Sequence, residues 1–117
     1  MDSIRIKRGD IYPTLYKLTW EESGDPIDLT NAKGITMLAV NDETEEQLFE
    51  TPKTVEIYGA AINGEVLIRW VDGDTDVSGM YRVEFKIEWN DSSILTVPSA
   101  DIIWMLIMSD LTPPPTP

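Results

Sequence analysis

An all-β sandwich is the fold this sequence predicts, on three observations. Apolar residues recur with period two along most of the chain. Turn-forming clusters separate the alternating runs at short intervals. No stretch carries a convincing helical period longer than a turn. The clearest run is Tyr81, Val83, Phe85, Ile87 and Trp89, alternating with Arg82, Glu84, Lys86 and Glu88. A strand sends successive side chains to opposite faces, so this run has one buried and one charged face. A helix would scatter the same aromatics around its circumference.

The remaining elements follow in order. Ile4 and Ile6 alternate with Arg5 and Lys7 in a short first strand, whose charges suit a sheet edge. Tyr12 to Trp20 reads as a second strand, with Tyr16, Leu18 and Trp20 on one face and Pro13 near its start. Glu21 to Pro26 is a turn by composition. In the connection Asp28 to Ala32, Asp28 can accept backbone amides while Leu29 plugs the core. Ile35 to Val40 is a strand, followed by the acidic loop Asn41 to Glu46 and a short edge strand near Gln47 to Glu50. Val55 to Ile62 and Glu65 to Val71 are joined by Asn63-Gly64, a pair that supplies the positive φ values of a tight hairpin. On the second of these strands, Val66, Ile68 and Trp70 share the inner face. Asn90 to Ser93 turns the long strand into Ile94 to Val97. Pro98 closes that strand, and Ser99 to Asp101 turns into a last one, Ile102 to Met108. Residues 1–111 form the domain, and 112–117, rich in proline, form an extended tail or linker stub.

Composition narrows the function. With 117 residues a single domain can bury a core of its own. Cysteine and histidine are both absent, which removes thiol nucleophiles, thiolate zinc sites and histidine-based proton transfer. A net charge of −12, from 21 acidic and 9 basic residues, opposes binding to phosphate backbones, so no nucleic-acid partner is expected. The start of the chain has no apolar run after its charges and does not read as a signal peptide. The longest apolar run has seven residues, too few for a membrane span. No membrane partner and no cofactor are expected. Neither a phosphate-cradling glycine loop nor a dinucleotide fingerprint is present. Pairs of carboxylates are unavoidable among 21 acids and identify no catalytic residue, so the chain is not expected to be an enzyme.

Several landmarks in sequence order carry a resemblance. Arg8-Gly9-Asp10 precedes an aromatic strand, and Gly24-Asp25-Pro26-Ile27-Asp28-Leu29-Thr30-Asn31-Ala32 follows it. Asn63-Gly64-Glu65-Val66 precedes the Trp70 strand. Asp74-Thr75-Asp76-Val77-Ser78-Gly79-Met80-Tyr81 leads into the Phe85 strand, and Thr96-Val97-Pro98 into the apolar last one. This order, spanning about Ile4 to Leu111, resembles the N-terminal immunoglobulin-like domain of phage upper-baseplate, tail-associated proteins. The resemblance implies an antiparallel immunoglobulin-like β-sandwich of about eight strands. It also implies a structural role in a virion tail or baseplate, docked onto other virion proteins or onto copies of itself.

Three constellations have functional and structural readings. In Ile102 to Met108 both faces are apolar, whereas the outer face of a lone sandwich strand is normally polar. Ile102, Trp104, Leu106 and Met108 are therefore the candidate protein-interaction residues, with cover by a loop or the tail as the rival reading. Asp72, Asp74 and Asp76 alternate as calcium ligands do. Val77 and Val83, however, stand where an EF-hand loop starting at Asp72 needs glycine and glutamate, and a turn bonding its own amides explains them better. The four tryptophans (Trp20, Trp70, Trp89 and Trp104) could stack on sugars. Three of them share faces with apolar neighbours, and core burial is the simpler expectation. Calcium-assisted recognition of cell-surface glycans is the alternative function. Tyr81, just after Gly79, is expected to bond its hydroxyl back to loop backbone.

Overall fold

The computed structural model describes residues 3–109. The proline-rich tail and the end of the domain at residue 111 lie outside the described residues. Eight strands run in the order β1 (Ser3–Lys7), β2 (Thr14–Lys17), β3 (Ala32–Asn41), β4 (Lys53–Ile57), β5 (Glu65–Ile68), β6 (Gly79–Trp89), β7 (Ile94–Val97) and β8 (Ile103–Met108). A single 3₁₀ turn, Ala61–Asn63, precedes β5. The fold is all-β.

The strands pair in the order β1-β8-β6-β3-β4-β5-β2, with β7 also on β6. The long strand β6 is central because its eleven residues serve several partners. One edge runs antiparallel to β3 from Asn41↔Tyr81 to Ala32↔Trp89. The other is shared end to end: β8 takes Gly79 to Val83, and β7 takes Phe85 to Glu88. The chain passes from β7 to β8 through Pro98 and the Ser99–Asp101 turn. Strand β4 is shared lengthwise, pairing Lys53 to Val55 with β3 and Glu56 and Ile57 with β5. That handover carries the sheet around toward β2, and the whole curls nearly into a barrel.

The curl closes over one core. Residues from β1, β3, β5, β6 and β8 share it with Leu18, Ile27 and Leu29, all three at most 1% exposed. Tyr16 of β2 stacks on Phe85 of β6, ring centroids 5.5 Å apart, which joins strands distant in the pairing order. As the alternation predicts, Tyr81, Val83, Phe85 and Ile87 are buried, and Trp89 packs half-buried against them. Tyr81 donates its hydroxyl to the Val77 carbonyl at 2.8 Å, as expected. Asp28 accepts the Thr30 amide at 2.9 Å, and Leu29 is fully buried.

The structure corrects the sequence in four places. The sheet is mixed rather than wholly antiparallel, since β1 runs parallel to β8. Nearly the whole chain separates these two strands, so no hairpin forces them antiparallel. The β4–β5 connection is not a two-residue hairpin; it contains a 3₁₀ turn, and of the pair Asn63-Gly64 only Gly64 takes a positive φ, +70°. Near Gln47 there is a single bridge to Val40, not a strand. Trp20 is 45% exposed although Leu18, two residues earlier, is fully buried. Alternation stops because β2 ends at Lys17 and the chain is then held by the Thr19↔Pro26 bridge.

Candidate functional site: the outer face of the last strand

The alternation of β8 places its two apolar sets on opposite faces. Ile103, Met105 and Ile107 are buried at 4% exposure or less, whereas Trp104, Leu106 and Met108 are half-buried on the outer side. Ile102 stands just before the strand and is exposed. The four candidate interaction residues therefore share one surface.

Their neighbours follow from register. On one side of β8, Ser3, Arg5 and Lys7 of β1 stand beside Trp104, Leu106 and Met108. On the other, Met80 of β6 is beside Leu106 and Arg82 is beside Trp104. Cross-strand neighbours of this kind touch side by side. Long aliphatic stems at such positions can lie along apolar surface while their charged heads reach water, and Trp104 and Leu106 are half-buried. Ser3, Arg5, Asp42, Met80, Trp104 and Leu106 line an open groove of about 500 Å³.

Arg82 divides this face. Its Nη2 donates to Glu45 Oε2 at 2.5 Å, and its Nε lies 3.2 Å from Asp42 Oδ1. Beyond this ridge lies a second open groove of about 380 Å³, whose floor includes Leu38, Val40, Pro98 and Ile102 and whose rim includes Glu45, Glu84 and Asp101. The first groove has Arg5 on the β1 side and Asp42 beyond the end of β3; the second is rimmed mainly by carboxylates. Sequence reasoning found the apolar strand but missed the Arg82 ridge. The charged side of β6 was visible, but the loop acids that pair with Arg82 come from Asp42 and Glu45, across the sheet.

The other candidates are not brought together. Asp74 Oδ2 accepts Lys53 Nζ at 2.8 Å and the Val71 amide at 2.9 Å, while Asp72 and Asp76 are exposed on the same turn. No group of three potential metal ligands gathers among the described residues. Trp70 is buried, with its indole N–H on Thr14 Oγ1 at 2.9 Å.

One carboxylate has an anchoring role that composition did not disclose. Glu21 receives the amides of Ser99, Ala100 and Asp101 at 2.6, 3.1 and 3.2 Å, and the Ser99 hydroxyl at 3.2 Å. Successive amides converging on one anion form a concave cradle. It ties the turn after β2 to the corner that aims β8. These amides, Ala100 foremost, hold the Glu21 carboxyl below its ordinary pKa. Asp28 and Asp91 are lowered too, first by the hydroxyls of Thr30 and Ser93 and then by the amides of the same residues. All three shifts run opposite to what a general acid needs.

At Glu21 the direction of this shift sets the sign of the pH dependence. Because the folded pKa is depressed, the stabilisation is fully present above the unfolded glutamate value of about 4.3. It is lost as pH falls through the folded value. Glu21→Gln is expected to melt lower than the native chain at neutral pH, with the gap shrinking steadily on acidification. Paired thermal melts from neutral into the acid range check this; a gap independent of pH would assign the effect to shape rather than charge.

No protein-family model matches the chain, and neither a curated protein nor a solved structure is significantly similar to it.

Proposed function

We propose that the chain is a structural interaction module of a phage or prophage tail or baseplate, working in the virion by docking onto other proteins of that assembly. The observation that carries the docking part is the apolar outer face of β8, where Trp104, Leu106 and Met108 lie beside exposed Met80 and Ile102. Contiguous apolar surface on a protein this acidic usually serves association, and tryptophan and methionine give high burial and adaptable contact. The tail or baseplate setting rests on the order of sequence landmarks, from Arg8-Gly9-Asp10 to Thr96-Val97-Pro98. An immunoglobulin-like sandwich is the finer reading of the fold. It is supported by the Tyr81 hydroxyl bond to the Val77 carbonyl, by β4 passing between pairing partners, and by β6 at the centre of its layer. The alternative, calcium-assisted glycan recognition, has less support, because Asp74 is paired with Lys53 and Trp70 lies in the core.

Trp104→Glu tests the reading. The side chain is only half-buried, so the cost to folding is expected to stay below about 1.5 kcal/mol. Capture of purified tail or baseplate proteins should fall at least tenfold, a loss of about 1.4 kcal/mol or more in binding. Leu106→Ser, a milder change on the same face, should weaken capture in the same direction. A Trp104→Glu protein that unfolds would assign the residue to the core, and undiminished capture by both variants would remove the site.

A further inference from the structure

We propose that this outer face also pairs with the same face of a second copy of the chain. The inference rests on the docking reading of β8 and names a partner for it. What selects a second copy is the distribution of charge. Arg5, Lys7, Arg82 and Lys86 are on or beside this face, four of the nine basic residues in the chain. Against them stand Asp42, Glu45, Glu84, Glu88 and Asp101, which leaves the face at −1 when the whole chain is at −12. The rest of the surface is strongly acidic and repels a copy that approaches it. This face is near neutrality, and it is also the apolar one.

The charges are moreover unevenly divided by position: Arg5 and Lys7 outweigh Asp42 on one side of Arg82, and Glu84, Glu88 and Asp101 outweigh Lys86 on the other. Arg5 and Lys7 flank Leu106 and Met108 on one side of the Arg82 ridge. Glu84 and Asp101 flank Leu38 and Ile102 on the other. A two-fold axis between the faces, crossing the strands at the Arg82 row, sets the basic end of each copy over the acidic end of the other. An isologous interface requires this self-complementarity. Apolar residues on both sides of the ridge then meet across the axis. Four strands about 4.8 Å apart and about seven residues long give a face of roughly 450 Å² per copy. The pair therefore falls at the low end of specific interfaces, and a weak, reversible dimer is expected.

Sedimentation velocity of the full chain from about 10 µM to about 1 mM tests this, since a weak dimer populates only in that range. The native chain should shift reversibly from monomer to dimer, and the dimer should weaken several-fold between about 50 and about 500 mM salt. R5E/K7E and E84K/D101K should each be monomeric alone, while an equimolar mixture of the two should recover a dimer. A native chain that stays monomeric to about 1 mM overturns the second-copy inference and leaves docking to other proteins standing. A dimer indifferent to salt and to both charge reversals overturns the inferred geometry. If Trp104→Glu unfolds, the docking reading itself falls with it.

Discussion

Phe85→Ala is expected to lower the stability of the folded chain by about 4 kcal/mol, the largest effect of any single truncation considered. Phe85 is fully buried at the middle of β6, paired with Met37 of β3 on one edge and Val97 of β7 on the other. Its ring lies 5.5 Å from that of Tyr16, with 14° between the planes. Truncation removes the transfer energy of the ring and leaves a cavity that these ladders keep from collapsing. It also removes an aromatic pair worth about 1 kcal/mol beyond area. For a domain of this size the melting temperature should fall by roughly 15 to 25 °C. In urea the midpoint should fall with little change in slope. Phe85→Leu should recover more than half of the loss, because it refills most of the volume. A cost below about 1.5 kcal/mol would mean that β2 does not close over β6, and the curled sheet would have to be redrawn.

The burial of Phe85 was legible because alternation over nine residues leaves no other side for it. The same signal identified Ile4 and Ile6 in β1, Val66 and Ile68 in β5, and the doubly apolar β8. Period-two patterning is local, and a strand keeps it wherever the strand is placed. What it does not carry is partner choice. The parallel pairing of β1 with β8 depends on how the sheet curls, and no stretch of either strand encodes it. Trp20 misled for a related reason: its spacing from Leu18 predicts a shared face only while the chain stays extended, and the strand ends at Lys17.

The candidate site divides in the same way. Its apolar half, Ile102, Trp104, Leu106 and Met108, was readable because seven apolar residues in a row cannot all face one core. Its polar half was not. The Arg82 ridge needs Asp42 and Glu45 from the loop after β3, and the anchor at Glu21 reaches amides about eighty residues away. Thr75 is likewise fully buried, with its hydroxyl on the Asp10 carbonyl at 2.8 Å. In the sequence it is one polar residue among aspartates. Long-range polar pairs of this kind depend on the completed fold, and charge or hydroxyl content along the chain gives no sign of which residues meet.

Gly64→Ala is expected to cost about 3 kcal/mol, and the reason is crowding as much as conformation. At φ +70° an L-residue pays roughly 1 to 2 kcal/mol for the left-handed region. A Cβ there would also lie 2.6 Å from the Leu18 carbonyl oxygen and 2.9 Å from that of Ile27, both backbone atoms. Neither can give way freely. The Leu18 amide donates to the Gly64 carbonyl at 2.8 Å and the Ile27 amide to the Leu18 carbonyl at 2.9 Å, so the three segments are fastened to one another. Room for a methyl group would have to come from these bonds or from the buried Leu18 and Ile27 side chains. Gly59 supplies the control, because its φ is +68° but nothing lies within 4 Å of an added Cβ. Gly59→Ala should therefore cost only the conformational part, about 1 kcal/mol. Urea titration of both variants beside the native chain measures the difference. A gap of about 2 kcal/mol would locate the close backbone approach at Gly64; equal costs would mean that Leu18 and Ile27 are not packed against it.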